Sequence, residues 1–342
     1  MGTATLLLPP RARFGGQRLS QSTAQWLGRA DRDDVAGDPL ARAFDILPRG
    51  WPVAAVTRQR DVGDAAGSAW LRADPVFIQP DINGARLLAH GDALSLTADG
   101  AAALLPALKP LFGDAGFPID APVPSRWYLR LPEGARLPAR ADPAQALGAD
   151  LFDHLPEGDD GRRWRALLSE AQVVLHNHPH NAERVAAGLA PINSLWFWGA
   201  GRMPDHVRSG FSEVLSDDDA LQAFGAVAGA GSGRLPDRWS SADGKLLVDL
   251  RHERDLALLD RDWLVPMLAD LQARRLEAAT LEFADSHRLR LRRNQRWRFC
   301  RRSLRSFVAA AMPAWHAMPW STVTSRSGCN AASSSTRAGD RP

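Results

Sequence analysis

The sequence predicts an α/β or α+β protein with a mixed sheet, flanking helices, two lobes and a disordered basic C-terminal tail. Short apolar segments bounded by turn residues alternate along the chain with stretches of helical periodicity. The 342 residues are 45% hydrophobic and 24% charged, which is enough for a sizeable core. This composition excludes a wholly disordered chain, a collagen and a disulfide-stapled miniprotein.

Charge is distributed unevenly along the chain. From residue 286 onward there are 12 arginines and one acid, whereas the first 285 residues hold 30 basic and 38 acidic residues. Both cysteines, Cys300 and Cys329, lie in this basic segment, which argues against a disulfide framework or a thiolate metal cluster in the body. We find neither a signal-peptide core nor an apolar run of membrane-spanning length, so we expect a cytoplasmic protein without a membrane partner.

The N-terminal lobe is predicted to span residues 1–150 and to be rich in strands. A first strand, 4–8, stops at two prolines, and an apolar stripe predicts a helix around residues 24–27. Alternating apolar residues and turn signals predict four further strands: 69–72, 76–79, 85–89 and 126–131. Between them, Thr97 is suited to cap a helix that Gly113 would end.

The C-terminal lobe is predicted to span residues 151–300. Helical periodicity predicts helices after Gly161, over 181–187, from a Ser216 cap to Val227, and over 256–276. Apolar runs predict strands at 194–198 and 246–250, the first entering a turn at 199–201, and a hairpin over 280–291. Residues 301–342 lack apolar periodicity, so we expect a disordered tail; a shifted reading frame would produce the same change in composition.

Residues 172–201, QVVLHNHPHNAERVAAGLAPINSLWFWGAG, form the most distinctive stretch of the chain. It resembles the HPxNxxR…G…PxN…WGxG segment of RpfE-type bacterial regulatory proteins, which are themselves similar to archaeal-type cofactor-independent phosphoglycerate mutases. Further resemblance to the RpfE-type proteins is spread over much of residues 70–300. The matching positions are His178, Pro179, Asn181, Arg184, Gly188, Pro191, Asn193, Gly199 and Gly201.

The resemblance implies an alkaline-phosphatase-like fold, in which an acid after the first strand and later Asp and His clusters hold two divalent metal ions. The first strand here runs into Leu8-Pro9-Pro10 without an acid. Only Asp153-His154, Asp205-His206 and Asp285-Ser286-His287 bring Asp and His close together in the sequence. We therefore predict no resident metal; Mn²⁺ or Mg²⁺ belongs to the alternative of an active mutase.

Six residues of the distinctive stretch are the candidate ligand-binding residues: His178, Asn181, Arg184, Asn193, Gly199 and Gly201. Arg184 and Asn193 are suited to contact a phosphate or carboxylate, and the glycines would let the main chain approach it. The alternative is a buried polar network, with His178 closing one helix and Asn181 capping the next. Pro179 opposes a helical metal site built from the nearby histidines.

Two functions from different classes follow from these observations. The first is a regulatory or ligand-sensing protein related to phosphoglycerate mutases, without phosphoryl transfer, that binds a small phosphorylated or carboxylated compound. The alternative is a metal-dependent cofactor-independent phosphoglycerate mutase or phosphatase. Nucleic-acid binding through the arginines between 288 and 305 is a third, less favoured reading, because the body is acidic and no nucleic-acid-binding motif is present. The sequence does not define an oligomeric state.

Overall fold

The strands form three sheets in a computed structural model, which describes residues 2–81, 84–135, 142–148, 158–241, 243–298 and 300–308. The strands are β1 Gly2–Leu8, β2 Asp31–Asp34, β3 Phe44–Leu47, β4 Ala69–Asp81, β5 Gly84–His90, β6 Ile119–Val123, β7 Arg126–Leu131, β8 Ser194–Arg202, β9 His206–Ser209, β10 Glu213–Leu215, β11 Gly231–Gly233, β12 Lys245–Asp249, β13 Leu276–Phe283 and β14 His287–Arg292. The α-helices are α1 Gln21–Arg29, α2 Pro39–Ala43, α3 Val53–Asp61, α4 Ala98–Asp114, α5 Pro143–Ala146, α6 Gly158–His176, α7 Pro179–Ala186, α8 Asp219–Val227, α9 Leu256–Leu258 and α10 Val265–Gln272.

A seven-stranded mixed sheet has the order β11-β10-β12-β1-β13-β14-β2. The strands from β11 to β13 pair in parallel, and β14 and β2 add antiparallel strands at one edge. β1 is the central strand of this order. Its consecutive residues Leu6, Leu7 and Leu8 are all buried, so both of its faces lie in apolar core. The parallel arrangement brings the carboxyl ends of β10, β12, β1 and β13 to one edge of the sheet.

A second sheet is antiparallel and is organised around the long strand β4. β4 pairs with β5, β7 and β8, and β6 extends the sheet beyond β7. β3 and β9 form a separate antiparallel pair. Trp127 and Trp196, on β7 and β8, are among the largest fully buried side chains of the protein, which anchors this sheet in the apolar core.

The predicted α/β class, with mixed sheets and flanking helices, is confirmed. The lobe boundary near residue 150 stays a prediction. Each large sheet draws strands from both sides of that position: β1 pairs with β12 and β13, and β4 pairs with β8. None of the helices in the described part of the chain has the length and apolar character that a bilayer crossing requires.

Helix caps agree with the sequence in one place and differ in two. The Thr97 side chain accepts a hydrogen bond from the Gly100 main-chain nitrogen, as predicted. Asn181 was expected to cap α7, but that cap is His178, whose ring accepts from the His180 nitrogen, and Asn181 lies inside the helix. The sequence predicts Ser216 as the cap of α8, but Asp218 is the cap, because its carboxylate accepts from the Ala220 and Leu221 main-chain nitrogens.

The predicted helix over 256–276 is shorter and less regular than expected. Asp255 caps α9, a π-helical stretch follows over Leu259–Leu264, and α10 ends at Gln272. Leu276 already belongs to β13, so the hairpin begins four residues earlier than the prediction of 280. The hairpin itself is confirmed, with Ser286 in the left-handed region at its turn.

The predicted disorder does not extend to residues 301–308. The Leu304 nitrogen donates to the Ala24 carbonyl over 2.8 Å, and Phe307 is buried with its ring 5.4 Å from that of Phe14 and 4.8 Å from that of Phe283. A single buried aromatic residue such as Phe307, after a basic stretch, creates no periodic pattern from which its burial could be predicted. The rest of the predicted tail, including Cys329, lies outside the described residues.

Candidate functional site

Polar side chains meet at the carboxyl edge of the parallel strands. Asp249 is the last residue of β12, and Ser216 follows β10, which pairs directly with β12. The Ser216 hydroxyl donates to Asp249 Oδ2 over 2.7 Å and accepts from the Asp218 nitrogen over 2.9 Å. This is the edge at which open α/β sheets place their ligands.

A guanidinium occupies the space between the two carboxylates of this edge. Arg251 Nε donates to Asp249 Oδ1 over 2.7 Å, and its Nη2 donates to Asp249 Oδ2 and to Asp218 Oδ2, each over 2.8 Å. The Asp249 side chain is 1% exposed. Burial would raise the pKa of Asp249, but the hydrogen bonds and charge of Arg251, with the Ser216 hydroxyl, outweigh it and hold this pKa below its ordinary value.

A cavity of about 410 Å³ lies between this edge and the antiparallel sheet. Charged and polar residues line it from both sides, and Trp198 contributes an aromatic wall. The lining residues are Arg72, Asp74, His90, Gly91, Asp92, Ser125, Arg126, Asp142, Pro143, Trp198, Asp217, Asp218, Asp219, Ala220, Gln222, Arg234 and His252. Its size falls within the range of small-molecule sites.

A buried ion pair forms one wall of the cavity. Arg72 donates to both oxygens of Asp74, over 2.7 and 2.8 Å, and the Trp198 indole nitrogen donates to Asp74 Oδ2 over 2.7 Å. The Arg72 guanidinium also lies over the rings of Tyr128 and Trp198, 5.6 and 5.2 Å from their centroids. Such a fully partnered pair fixes the shape of the wall and leaves little charge for a ligand.

Two imidazoles, His90 and His252, face the cavity from opposite elements. His90 ends β5 and is half-buried, and His252 is exposed in the loop after β12. Burial is the main cause that lowers the pKa of His90, with further contributions from His252 and Arg72, and Asp74 opposes the shift. A neutral His90 can therefore donate or accept a hydrogen bond near pH 7.

The donor set does not fit a pair of divalent metal ions. Among the described residues, no group of three or more His, Cys, Asp or Glu side chains is arranged to hold a metal. Asp249 and Asp218 already contact Arg251, and the end of β1 at Leu8 offers no acid.

The Asp/His pairings noted in the sequence have other partners. His206 lies 4.0 Å from Asp45, His287 lies 2.9 Å from Asp34, and Asp285 binds Arg11 over 2.8 Å. Each of these pairs joins two surface segments rather than converging on a common centre. The remaining pairing, Asp153-His154, lies outside the described residues.

The predicted ligand residues of the distinctive stretch contact the main chain instead of the cavity. Asn181 is buried; its amide nitrogen donates to the Leu175 and Ile192 carbonyls, and its oxygen accepts from the Ile192 nitrogen. Arg184 is buried and donates to the Ala190 and Leu94 carbonyls. These contacts form a buried polar network, which is the alternative to ligand binding that the sequence analysis gives for this stretch.

Asn193, Gly199 and Gly201 also have structural surroundings. Asn193 accepts from the Ile78 nitrogen and donates to its carbonyl, so its side chain extends the pairing of β4. Gly199 and Gly201 were expected in a turn but lie within β8, packed against α3 and the residue before it. A Cβ at Gly201 would lie 2.4 Å from Pro52 Cβ, so the close approach serves the protein's own backbone. Their role as ligand contacts stays a prediction.

Sequence reasoning missed the residues that line the cavity. It predicts a helix that begins at Ser216 and strands around Arg72 and His90, but it gives Arg72, His90 and Arg251 no role in a site. Asp249, at the end of a predicted buried strand and two residues before an arginine, was the available signal. The contact from Arg251 to Asp218 spans 33 residues of sequence, so it requires the pairing of β10 with β12 to be known.

Comparison with known proteins relates part of the chain to phosphoglycerate mutases. It is 35% identical over 92 residues to the probable 2,3-bisphosphoglycerate-independent phosphoglycerate mutase of Geobacter sulfurreducens, covering 25% of this chain and 23% of the relative. It is 37% identical over 94 residues to the 2,3-bisphosphoglycerate-independent phosphoglycerate mutase of Methanothrix thermoacetophila, covering 25% and 24%. The matched region thus spans about a quarter of these curated relatives. No protein-family model matches the chain.

Two solved structures align with 85% of this chain. The cofactor-independent phosphoglycerate mutase from Thermoplasma acidophilum is 14% identical, with a TM-score of 0.40, covering 85% of this chain and 89% of that one. The PH0037 protein from Pyrococcus horikoshii is 11% identical, with a TM-score of 0.45, covering 85% and 87%.

Proposed function

We propose that this protein is a regulatory or ligand-sensing relative of the phosphoglycerate mutases that binds a small ligand in the cavity without metal-dependent phosphoryl transfer. The observation that carries the proposal is the position of Arg251. Its guanidinium contacts both carboxylates at the carboxyl edge of the parallel strands, where a divalent cation would need them. A fixed side-chain cation neutralises these acids without offering an open coordination position for a reacting phosphate.

Six aspartates and three arginines line the cavity, so a phosphorylated or carboxylated ligand depends on arginines that neutralise these acids. Asp74, Asp218 and Asp219 are each paired with arginines, which reduces the repulsion that an anionic ligand would meet. The cavity also offers donors. Arg234 is 79% exposed and lies 3.7 Å from Asp217, a distance too long for a tight ion pair, and His252 is exposed nearby.

The second candidate function is a metal-dependent phosphoglycerate mutase. It is supported by the identity of 35–37% to curated mutases over 92–94 residues. That match leaves most of each relative uncovered, and the residues described here provide no donor set that fits two metal ions. Membership of the RpfE-type proteins and a cytoplasmic location stay predictions.

A pair of assays on the full chain tests the proposal. Calorimetric titration with 3-phosphoglycerate in the presence of a chelator should give a saturable heat of binding, because the proposed binding does not need a metal. Interconversion of 3- and 2-phosphoglycerate with Mn²⁺ or Mg²⁺ should be absent. Turnover that a chelator abolishes would establish the mutase, and absence of both binding and turnover would refute binding of this class of ligand.

A matched pair of variants assigns the binding to the cavity. Arg234→Gln removes a guanidinium that lines the cavity, whereas Arg208→Gln removes an exposed one on β9 that is not part of the lining. We expect weaker binding of 3-phosphoglycerate for the first variant and unchanged binding for the second. Equal loss in both would mean that only net charge matters and would contradict binding at the cavity.

A further inference from the structure

Three arginines that flank the β13–β14 hairpin lack an acidic partner within the described ranges. Arg274, Arg293 and Arg296 have no carboxylate within ion-pair distance anywhere in the part of the chain that the structure describes. Their sequence neighbours do have such partners: Arg275 lies 2.6 Å from Asp270, and Arg298 contacts Asp31.

The topology brings the three arginines to one place. Arg293 and Arg296 belong to a 3₁₀-helix, Arg293–Trp297, in which side chains three residues apart lie directly above each other. This helix follows β14, and Arg292 pairs with Ala278 of β13. Arg274 lies four residues before Ala278, and its charge acts on Arg293.

The 3₁₀-helix is held firmly by a buried side chain. Gln295 is 1% exposed; its oxygen accepts from the Arg292 nitrogen over 2.9 Å, and its amide nitrogen donates to Asp31 Oδ2 over 2.9 Å. The Arg296 carbonyl accepts from Arg29 Nη1 over 3.0 Å. The arginine pair is thus displayed on a support whose geometry is set by the fold, which reduces the entropy lost when a ligand is bound.

The electrostatics of this arginine cluster, Arg274, Arg293 and Arg296, are unfavourable without an anion. The Nε atoms of Arg293 and Arg296 are buried, and neither has a hydrogen-bond partner among the described residues. Burial lowers the pKa of Arg293, and the charges of Arg274 and Arg296 lower it further. Like charges held close together are costly unless an anion beside them neutralises them.

We propose that the arginine cluster is a binding site for a phosphate group. Guanidinium groups offer planar forks of N–H donors that match the oxygens of phosphate, and a phosphate brings the negative charge that the cluster lacks. None of the three arginines is among the residues that line the cavity. The arginine cluster is therefore a separate site from the cavity.

Two sources of phosphate are compatible with this chemistry: a small phosphorylated compound and the backbone of a nucleic acid. We distinguish them with two probes on the full chain, inorganic phosphate and a single-stranded 20-nucleotide oligonucleotide of mixed sequence. Phosphate is compared with chloride at equal ionic strength by the shift in melting temperature. The oligonucleotide is followed by fluorescence anisotropy at several salt concentrations, because contacts with backbone phosphates weaken as salt rises.

The decisive variant is the double substitution Arg293→Gln with Arg296→Gln. Its matched control, Arg13→Gln with Arg261→Gln, removes the same charge from exposed positions in other parts of the chain. Circular dichroism verifies that both variants are folded. We expect phosphate to raise the melting temperature of the wild type and the control, and to have at least tenfold weaker apparent affinity for the cluster variant.

The outcomes separate clearly. Binding of phosphate alone, lost in the cluster variant, supports a small phosphorylated ligand. Binding of the oligonucleotide with the same loss and a strong salt dependence supports a nucleic-acid backbone. The proposal is overturned if neither probe binds the wild type, or if the cluster variant and the control respond to both probes as the wild type does.

Discussion

The Arg251 guanidinium binds both oxygens of the Asp249 carboxylate, over 2.7 and 2.8 Å, at the point where β12 leaves the parallel sheet. A bidentate contact of this kind fixes both side chains and compensates a carboxylate that is almost fully withdrawn from water. The same guanidinium reaches Asp218 after β10. One residue thus joins the ends of two strands and sets the charge of this edge of the cavity.

Replacement of Arg251 by methionine should be severely destabilising. It leaves Asp249 buried without its partner, and breaking a buried pair in this way costs about 3–5 kcal/mol. The measurement is the free energy of unfolding in urea at pH 7. The control is Arg261→Met, which breaks the exposed pair with Asp262 and should leave the unfolding midpoint unchanged. Equal midpoints for both variants would contradict the role of Arg251.

His90 should make the stability of the protein depend on pH. Its pKa is lowered in the folded state, chiefly by burial. At pH values between this folded pKa and the unfolded pKa of about 6.5, the unfolded chain binds more protons at this residue than the folded protein does. The free energy of unfolding should therefore fall as pH drops below about 6.5. His90→Gln should remove this part of the decrease, whereas the exposed His176→Gln should not. Parallel pH profiles for all three proteins would show that His90 does not contribute.

Asn181 should be essential for the junction between α6, α7 and β8. Alanine at this position removes three hydrogen bonds and leaves the buried main-chain nitrogen and carbonyl of Ile192 without their partner, at a cost of about 3 kcal/mol. The Leu175 carbonyl keeps the hydrogen bond from the His178 nitrogen. Asn177→Ala is a matched control four residues away, because its side chain is exposed and makes one main-chain contact. Chemical denaturation of both variants measures the difference. A loss below about 1 kcal/mol for Asn181→Ala would contradict the structural role.

Gly201 should tolerate no side chain. A Cβ there would lie 2.4 Å from Pro52 Cβ and 3.1 Å from Pro52 Cα, and both belong to a stiff ring before α3. Relieving the overlap requires backbone movement, which we expect to cost about 1–3 kcal/mol. Gly210→Ala is the control, because no atom lies within 4 Å of the position that its added methyl group would take and its backbone is unrestricted. Thermal unfolding should separate the two variants by several degrees.

Local signals in the sequence predicted those parts of the fold that depend on local chemistry. The apolar run of β1, the alternation of β7 and the Thr97 cap follow from side-chain periodicity and from hydrogen bonds to adjacent residues. Competition between neighbouring caps was not predictable. Ser216 and Asp218 both suit an N-cap, and the choice depends on the hydrogen bond from Ser216 to Asp249, 33 residues further along the chain.

The cavity was beyond sequence reasoning for the same reason. Its walls come from β4, β5, β8 and the loops after β10 and β12, and no local pattern indicates that these segments face each other. The distinctive stretch around Asn181 and Arg184 drew attention because polar residues there form a dense pattern. In the structure these polar side chains bind main-chain carbonyls and nitrogens. Arg72, within β4, and Arg251, just after β12, belong to no local pattern that would single them out.

The measurement that tests the central claim most directly is a titration of the full chain with Mn²⁺, followed by the electron paramagnetic resonance signal of the free ion. If the Arg251 guanidinium takes the place of a metal ion at the carboxyl edge, the free signal should equal that of the same solution without protein, in both the presence and the absence of 3-phosphoglycerate. Two Mn²⁺ ions held per chain at micromolar concentration, and lost in Asp249→Asn, would contradict the account.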